Sequence, residues 1–111
     1  MALSDSEYRK KVSDVYARIS RAFDTVDPDV VEAEVANGTL TLLCKGSKVI
    51  ISPQPPVQQI WFAAAALGKA VHFSWDEESK AWKDDKKQNL ELFAYTAEIV
   101  QKVSGLKVDI V

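Results

Sequence analysis

Five carboxylates, and no Lys or Arg, lie between Ala22 and Cys44. The whole chain is nearly balanced, with 14 basic and 16 acidic residues, so this segment concentrates negative charge. Carboxylate oxygens suit hard cations such as Fe²⁺, Fe³⁺, Mn²⁺, Ca²⁺ and Mg²⁺, and a negative patch can also dock a basic partner. The alternative is a set of solvated surface acids in ordinary turn chemistry. We call these residues the acidic segment: Asp24, Asp27, Asp29, Glu32 and Glu34.

A tryptophan in a predicted strand is the second candidate. Ile60 and Phe62 flank Trp61, and adjacent strand residues point to opposite faces of a sheet. If the two flanking residues face the core, Trp61 faces out, where a Trp is an expected interface anchor. The reverse alternation would make Trp61 a core residue. Three polar residues nearby could supply polar contacts around Trp61: Ser52, Gln54 and Gln59. For Ser52 and Gln54 the alternative is contact with solvent at the strand end.

Enzyme motifs are missing from the sequence. It contains no Gly-rich phosphate loop, no His-Glu-x-x-His and no Cys-x-x-Cys. The one histidine, His72, is expected to make an ordinary hydrogen bond. The one cysteine, Cys44, is expected to be a small buried hydrophobe rather than a reactive thiol, and a single cysteine fits a reducing compartment. We therefore predict that the protein is not an enzyme.

The first element that must position these residues is a helix. Ser4 and Glu7 have the spacing of a capping box. Apolar residues then recur at helical spacing from Tyr8 to Val26, and Pro28 ends the pattern. A second helix is predicted from an Asn89 cap to about residue 104, with a buried side formed by Leu90, Phe93, Ala94, Ala97, Val100 and Val103.

Short strands occupy the region between the two helices. Residues 31–35 alternate strictly between apolar and acidic, and Asn37-Gly38 is a strong hairpin signal. Further strands are predicted at 39–44, 48–52, 58–63, 71–75 and 80–84, and the apolar tail 106–111 should pack back on the body. The fold class is α+β: both helices cover one face of a single antiparallel sheet of about five to six strands. The other face is left open to solvent.

Composition excludes several classes of protein. The 111 residues suit one domain, 1–111. A sequence pI near 5.4 argues against nucleic-acid binding. The longest apolar run, residues 60–67, is far shorter than the ~20 residues of a membrane helix. No signal peptide is apparent, so we predict a cytoplasmic protein.

The stretch from Gly46 to Trp61 resembles the frataxin family. Its most specific part is Gln-x-Pro-x-x-Gln-Ile-Trp over residues 54–61, because unusual residue types stand at fixed spacing. Other matches occur in family order and cover essentially the whole chain: Gly46-Ser47-Lys48, Val49-Ile50-Ile51, Asn37-Gly38, Leu40-Thr41, residues 68–73 and Ala81-Trp82.

The resemblance implies an iron-binding accessory of iron–sulfur cluster assembly. The acidic segment would bind iron (Fe²⁺, Fe³⁺ or both) weakly and dock a basic surface of the cysteine desulfurase. The sheet face with Trp61 would contact the scaffold and the desulfurase, and His72 stands where relatives often carry a basic residue. The family usually has more carboxylates at the end of the first helix, so the negative charge here is weighted toward the acidic segment.

Two further expectations concern assembly and an alternative function. We expect a monomer that iron can oligomerise, because cations can bridge carboxylates of neighbouring copies. The alternative function is an acidic protein-binding module in which metal binding is incidental.

Overall fold

The computed structural model describes residues 3–111; Met1 and Ala2, which belong to the predicted domain 1–111, lie outside the described residues. Two helices flank six strands, in the order of the chain. The elements are α1 Asp5–Ala22, β1 Val31–Ala36, β2 Thr39–Cys44, β3 Ser47–Gln54, β4 Gln59–Ala64, β5 Lys69–Asp76, β6 Ala81–Asp84 and α2 Leu92–Ser104. Short 3₁₀ turns, Pro55–Val57 and Ala65–Leu67, join β3 to β4 and β4 to β5.

The strands form one antiparallel meander with the spatial order β1 to β6. The turn between β1 and β2 consists of Asn37 and Gly38, whose φ angles of 54° and 76° match the hairpin turn that suits the twist of the two strands. A residue with a β-branched side chain would be strained at either position. The predicted sheet and its first hairpin are confirmed.

The core lies between the sheet and the two helices. Alternate strand residues point into it, and the remaining residues form the open face of the sheet. Burying each large side chain contributes about 1.5–3 kcal/mol to stability. The buried residues therefore fix which face of each strand points toward the helices. The largest fully buried side chains are those of Trp82, Phe62, Phe73, Ile19, Leu40, Leu42, Ile51, Ile60, Leu92, Ile99, Val15 and Val31. Two helices on one face, with the other face open, are the predicted α+β arrangement.

Two tyrosines attach α1 to the sheet through backbone groups. The hydroxyl of Tyr8 donates to the carbonyl of Gln59 at 2.6 Å and accepts from the amide of Gln54 at 3.0 Å. The hydroxyl of Tyr16 lies 2.8 Å from the carbonyl oxygen of Gly38 and 3.1 Å from that of Ile51. Burial raises the pKa of Tyr16 to about 12, so it remains a neutral donor at physiological pH.

The first helix begins as predicted and ends earlier. The Ser4–Glu7 capping box is present, but the helix ends at Ala22 rather than near Val26. The amides of Phe23 and Asp24 bond to carbonyls three residues back, which tightens the last turn. Phe23 and Val26 still pack on the core from the turn. Apolar spacing therefore continued past the end of the helix and misled the prediction.

The second helix is capped by Glu91, not by the predicted Asn89. Its carboxylate accepts from the amides of Phe93 and Ala94, whereas Asn89 has a φ of 60° and lies in the preceding loop. Val100 is buried as predicted, and Leu90, Phe93 and Val103 are partly buried against the core, but Ala94 is exposed. The fully buried residues also include five that were not predicted: Leu92, Tyr95, Thr96, Ile99 and Ser104. Thr96 and Ser104 are buried because each hydroxyl donates to the carbonyl four residues back, which a count of apolar residues does not detect.

Three strands are longer than predicted, and β3 includes a proline. The last residue of β3 that pairs with β2 is Ile51, whereas β3 continues beside β4 to Gln54. Pro53 therefore has a neighbouring strand, β4, on one side only. A proline nitrogen is tolerated on the unpaired side of a strand, because no hydrogen bond is lost there. The predicted tail is confirmed: Leu106, Val108 and Ile110 pack against the core.

The loop between β6 and α2 is organised by Asp84, which is only 8% exposed. Its carboxylate accepts from the amides of Gln88 and Leu90, both at 2.8 Å. Burial alone would raise the pKa of Asp84, but the amide hydrogen bonds outweigh it and leave the pKa lowered. A lowered pKa in the folded state stabilises the fold above the unfolded pKa, and this stabilisation is lost as pH falls through the lower folded value.

We predict that Asp84→Asn lowers the free energy of unfolding by about 1 kcal/mol at pH 7, because one of two partly buried amides loses its acceptor. Urea unfolding at pH 7 and at pH 3 measures this. The difference between wild type and variant should shrink at pH 3, because below the ordinary Asp pKa of 3.8 the unfolded state binds a proton that the folded state resists. A difference as large at pH 3 as at pH 7 would contradict the electrostatic account. Asp109→Asn, in the exposed tail, is the matched control.

Candidate functional site

The acidic segment lies along the turn after α1 and on edge strand β1. All five of its side chains are exposed. Glu32 and Glu34 are two apart in β1, on the open face of the sheet, about 7 Å apart by strand rise. Asp27 lies in the turn, where its carboxylate accepts from the amide of Asp29 at 2.9 Å. This use of Asp27 is the turn chemistry that the sequence offered as an alternative.

Two shallow depressions show which of the five carboxylates come close together. One, of about 240 Å³, is lined by Asp24 and Glu32, together with residues of the turn. The other, of about 140 Å³, is lined by Glu32, Glu34 and Lys48. Glu32 therefore belongs to both. Asp27 and Asp29 line neither depression, so the structure groups three members of the acidic segment and leaves two in the adjacent turn.

The acidic segment is not a closed metal site. Within residues 3–111, no three His, Cys, Asp or Glu side chains are grouped so that they could hold a metal ion. None of the five carboxylates forms an ion pair within that part of the chain. Lys48, which lies outside the base-free stretch of the sequence, lines the same depression as Glu32 and Glu34, two strands away from Glu32 across Leu43. Any cation bound here would keep most of its water ligands.

Trp61 lies on the open face, as predicted from its neighbours. Ile60 and Phe62 are buried at 0% and 1% exposure, whereas Trp61 is 37% exposed. Its partners across the sheet are Ser52 on one side and His72 on the other. Glu34 shares this face. Its successive cross-strand partners are Thr41, Ile50 and Ala63. Ala63 is two residues from Trp61 in β4, so the two side chains point to the same face. The open face therefore carries acidic side chains at one edge and an indole near its middle.

The indole of Trp61 is held by its neighbours. Its ring stacks on the imidazole of His72, with centroids 4.2 Å apart and planes 9° from parallel. Its Nε1–H donates to Oε1 of Gln59 at 2.9 Å. Of the other predicted contact residues, Ser52 and Gln54 are partly buried, and the backbone amide of Gln54 is bonded to Tyr8.

Sequence reasoning missed Asp85, which lies beside this group. Its Oδ2 is 3.3 Å from Nε2 of Gln59 and 3.6 Å from Nδ1 of His72. Its amide donates to the carbonyl of His72 at 2.9 Å. In the sequence Asp85 is one acid in a charged loop, and no spacing rule connects it with Trp61. It was also unforeseen that the open face exposes Leu43 and Ile50.

Cys44 is the small buried hydrophobe that was predicted. It is 0% exposed, and its Sγ is 3.9 Å from the carbonyl oxygen of Leu42. Burial raises the pKa of its thiol, which disfavours the reactive thiolate.

The fold is shared with solved structures of frataxins. A frataxin from Psychromonas ingrahamii superposes with a TM-score of 0.85 at 24% sequence identity, covering 98% of this chain and 99% of that one. A trimeric frataxin from the yeast Saccharomyces cerevisiae gives a TM-score of 0.58 at 23% identity, covering 96% of this chain and 84% of that one. These comparisons define the class of fold, a six-stranded antiparallel sheet with two helices on one face.

Sequence comparison assigns the family. The Frataxin-like domain matches residues 1–105. The iron-sulfur cluster assembly protein CyaY of Paraburkholderia phymatum is 36% identical over 97% of this chain and 98% of its own length. The CyaY protein of Pseudomonas fluorescens is 33% identical, covering 98% of this chain and 96% of its own length. The CyaY protein of Tolumonas auensis is 36% identical, covering 96% of this chain and 97% of its own length. The chain belongs to the frataxin-like family, as its resemblance predicted.

Among the described residues, no helix is both long enough and apolar enough to span a membrane.

We predict that Cys44 reacts slowly with Ellman's reagent in the folded protein and rapidly in denaturant, because its sulfur is inaccessible and its thiol pKa is raised. The absorbance of released thionitrobenzoate measures both rates. The expected ratio is at least about a hundredfold, since exchange requires opening of the core. Similar rates with and without denaturant would contradict the structural role of Cys44.

Proposed function

We propose that this protein is an iron-binding accessory of iron–sulfur cluster assembly, acting as one domain, 1–111, in the cytoplasm. It binds iron weakly at the acidic segment and docks to a complex of cysteine desulfurase and scaffold protein. It performs no catalysis itself, and it is a monomer that iron can drive to oligomerise. The observation that carries the proposal is that Glu32, Glu34 and Trp61 lie on the same open face of the sheet.

Relatives support the assignment to cluster assembly. Proteins matching nearly the whole chain at 33–36% identity carry the name iron-sulfur cluster assembly protein CyaY. The match extends over 98% of the length of the Paraburkholderia phymatum protein, so this chain has counterparts for that protein's elements. A role in the same process follows most directly from this likeness.

The chemistry of the acidic segment supports weak iron binding. Its carboxylates are hard oxygen donors, and the depression lined by Asp24 and Glu32 opens to solvent. Asp27 has one carboxylate oxygen bonded to a backbone amide, and its other oxygen has no hydrogen bond within residues 3–111. With neither His nor Cys in the acidic segment, discrimination among Fe²⁺, Mn²⁺ and Mg²⁺ would be poor. Such a site holds iron loosely enough to release it.

The open face supports docking through two kinds of contact. Exposed carboxylates at the β1 edge attract a basic surface and speed association. Trp61, with the exposed Ile50 and Leu43, supplies apolar area that becomes buried on contact. Ser52, Gln54, Gln59 and His72 surround or adjoin Trp61. Charge would bring the partner to this face, and the indole would hold it there.

We predict that anaerobic titration with Fe²⁺ broadens amide NMR signals of residues 24–34 before other signals. Paramagnetic broadening falls steeply with distance, so it locates the ion. The variant Glu32→Gln with Glu34→Gln should need several-fold more iron for the same effect, because Glu32 lines both depressions. Glu78→Gln with Asp109→Gln is the control that removes two acids elsewhere. Equal broadening in all three proteins, or none at millimolar iron, would remove iron from the proposal.

We predict that Glu32→Lys with Glu34→Lys weakens binding to the desulfurase–scaffold complex at least about tenfold, roughly 1.4 kcal/mol, and reduces its salt dependence. Trp61→Ala should weaken binding mainly through faster dissociation. Surface plasmon resonance at two salt concentrations measures the association rate and the dissociation rate. The control, Glu78→Lys with Asp109→Lys, carries the same change in net charge. Equal loss in control and test variants would show that only net charge matters.

A protein-binding module is the second candidate function. It is favoured by the exposed, unenclosed carboxylates and by Lys48 beside Glu32 and Glu34, which opposes cation binding there. In that case the charge reversal would abolish docking, while iron would change neither docking nor the rate of cluster assembly. The iron titration and the binding measurements together separate the two functions.

A further inference from the structure

The indole of Trp61 is joined to the β6–α2 loop by a continuous set of polar contacts. Trp61 Nε1–H donates to Oε1 of Gln59 at 2.9 Å. Nε2 of Gln59 in turn lies 3.3 Å from Oδ2 of Asp85 and 3.2 Å from Oγ of Ser74. The same Oδ2 of Asp85 is 3.6 Å from Nδ1 of His72, whose ring stacks on the indole. The contacts therefore close a ring of four side chains.

We propose that Asp85 is a positioning residue that, through Gln59 and His72, fixes the orientation of Trp61 on the open face. This inference rests on the proposed docking role of Trp61 and extends it. The indole already has one fixed orientation in the free protein, so the partner does not have to order it on binding.

The types of the four groups leave little choice in how they pair. An indole N–H is a donor only, and an ionised carboxylate is an acceptor only. A side chain that connects Trp61 with Asp85 must accept at one end and donate at the other, which the amide of Gln59 does. The two contacts also determine which end of the amide is oxygen. Replacing the donor Trp61 by an acceptor, or the acceptor Asp85 by a donor, would break the connection through Gln59.

Asp85 is itself held by the backbone. Its amide donates to the carbonyl of His72 at 2.9 Å, and its neighbour Asp84 anchors the loop through the amides of Gln88 and Leu90. The carboxylate of Asp85 is therefore attached to a loop with defined geometry. At 3.6 Å its contact with His72 is longer than a direct hydrogen bond, so it acts electrostatically when the imidazole is protonated.

This arrangement determines what Trp61 offers to a partner. Its N–H is already donated to Gln59, and one ring face is covered by His72. On the other side of Trp61 the cross-strand residue is the small Ser52, with Ile50 exposed nearby. The accessible surface is therefore apolar and lacks a free donor, and it fits an apolar side chain of the partner. Holding the ring in place spares the entropy of ordering it during docking.

The test follows the indole N–H of Trp61 by ¹⁵N NMR, identified by its loss in Trp61→Phe. The steady-state ¹H–¹⁵N NOE reports how rigidly the ring is held. Asp85→Ala should lower this NOE and shift the resonance, while the indole signals of Trp75 and Trp82 stay unchanged. Glu78→Ala, which removes an exposed acid from another loop, should leave all three indoles as in wild type.

A complementary pair of substitutions supplies the sharper test. Gln59→Glu places a second carboxylate against Asp85, and should release the indole as Asp85→Ala does. Adding Asp85→Asn restores a donor for the new carboxylate, and should recover the NOE and the shift. A general loss of packing would not be reversed by this second change. An indole signal unmoved by Asp85→Ala, or no recovery in the double variant, overturns the proposal.

Binding to the desulfurase–scaffold complex separates this inference from the proposed function. We expect Asp85→Ala to weaken binding by about threefold to tenfold, less than Trp61→Ala does. If Trp61→Ala weakens binding and Asp85→Ala frees the ring without weakening it, the positioning role in docking is refuted. If Trp61→Ala itself has no effect, the docking function of this face is refuted, while the NMR result still decides whether Asp85 positions the ring.

Discussion

The packing of two helices on one face of the sheet is the constraint that organises this protein. Each strand must point its alternate apolar side chains at the helices, because each large buried side chain is worth about 1.5–3 kcal/mol. The phase of β4 is held by Ile60 and Phe62, both essentially inaccessible. The orientation of Trp61 follows from theirs, since adjacent strand residues point to opposite faces. The side chains of the open face are thereby displayed without taking part in the core.

The two parts of the proposed surface differ in how strongly the fold organises them. The acidic segment is exposed and makes no ion pairs within residues 3–111, so its side chains can rearrange around a cation or a basic partner. The indole of Trp61 is stacked and hydrogen-bonded. Flexible carboxylates suit weak, readily reversed binding and long-range attraction, whereas a fixed aromatic ring suits a contact that determines orientation. A docking event can use the first for approach and the second for register.

The turn between α1 and β1 connects the acidic segment to the core. The carbonyl of Asp27 accepts from the amides of Val30 and Val31, and the carbonyl of Val30 accepts from Lys45. These bonds direct the chain into β1 at the sheet edge and keep Asp24 near Glu32. Repulsion within the acidic segment is tolerated because its members are solvated, and Lys48 lines one depression with Glu32 and Glu34. Edge-strand carboxylates also discourage pairing with a strand of another copy.

Local rules in the sequence determined the hairpin at Asn37-Gly38, the cap at Ser4 and the alternation in β1, because each depends on neighbours along the chain. The sequence also showed that Trp61 points opposite to Ile60 and Phe62, but only the tertiary core decided which of them face out. The predicted end of α1 and the predicted cap of α2 were wrong, since Val26 packs from a turn and Glu91 caps α2. The burial of Thr96, whose hydroxyl bonds to the backbone, was not foreseen. Only the tertiary structure placed Lys48 in one depression with Glu32 and Glu34, and Asp85 against Gln59 and His72. These arrangements bring together residues that are apart in sequence, and their geometry depends on strand register and loop path, which no local pattern encodes.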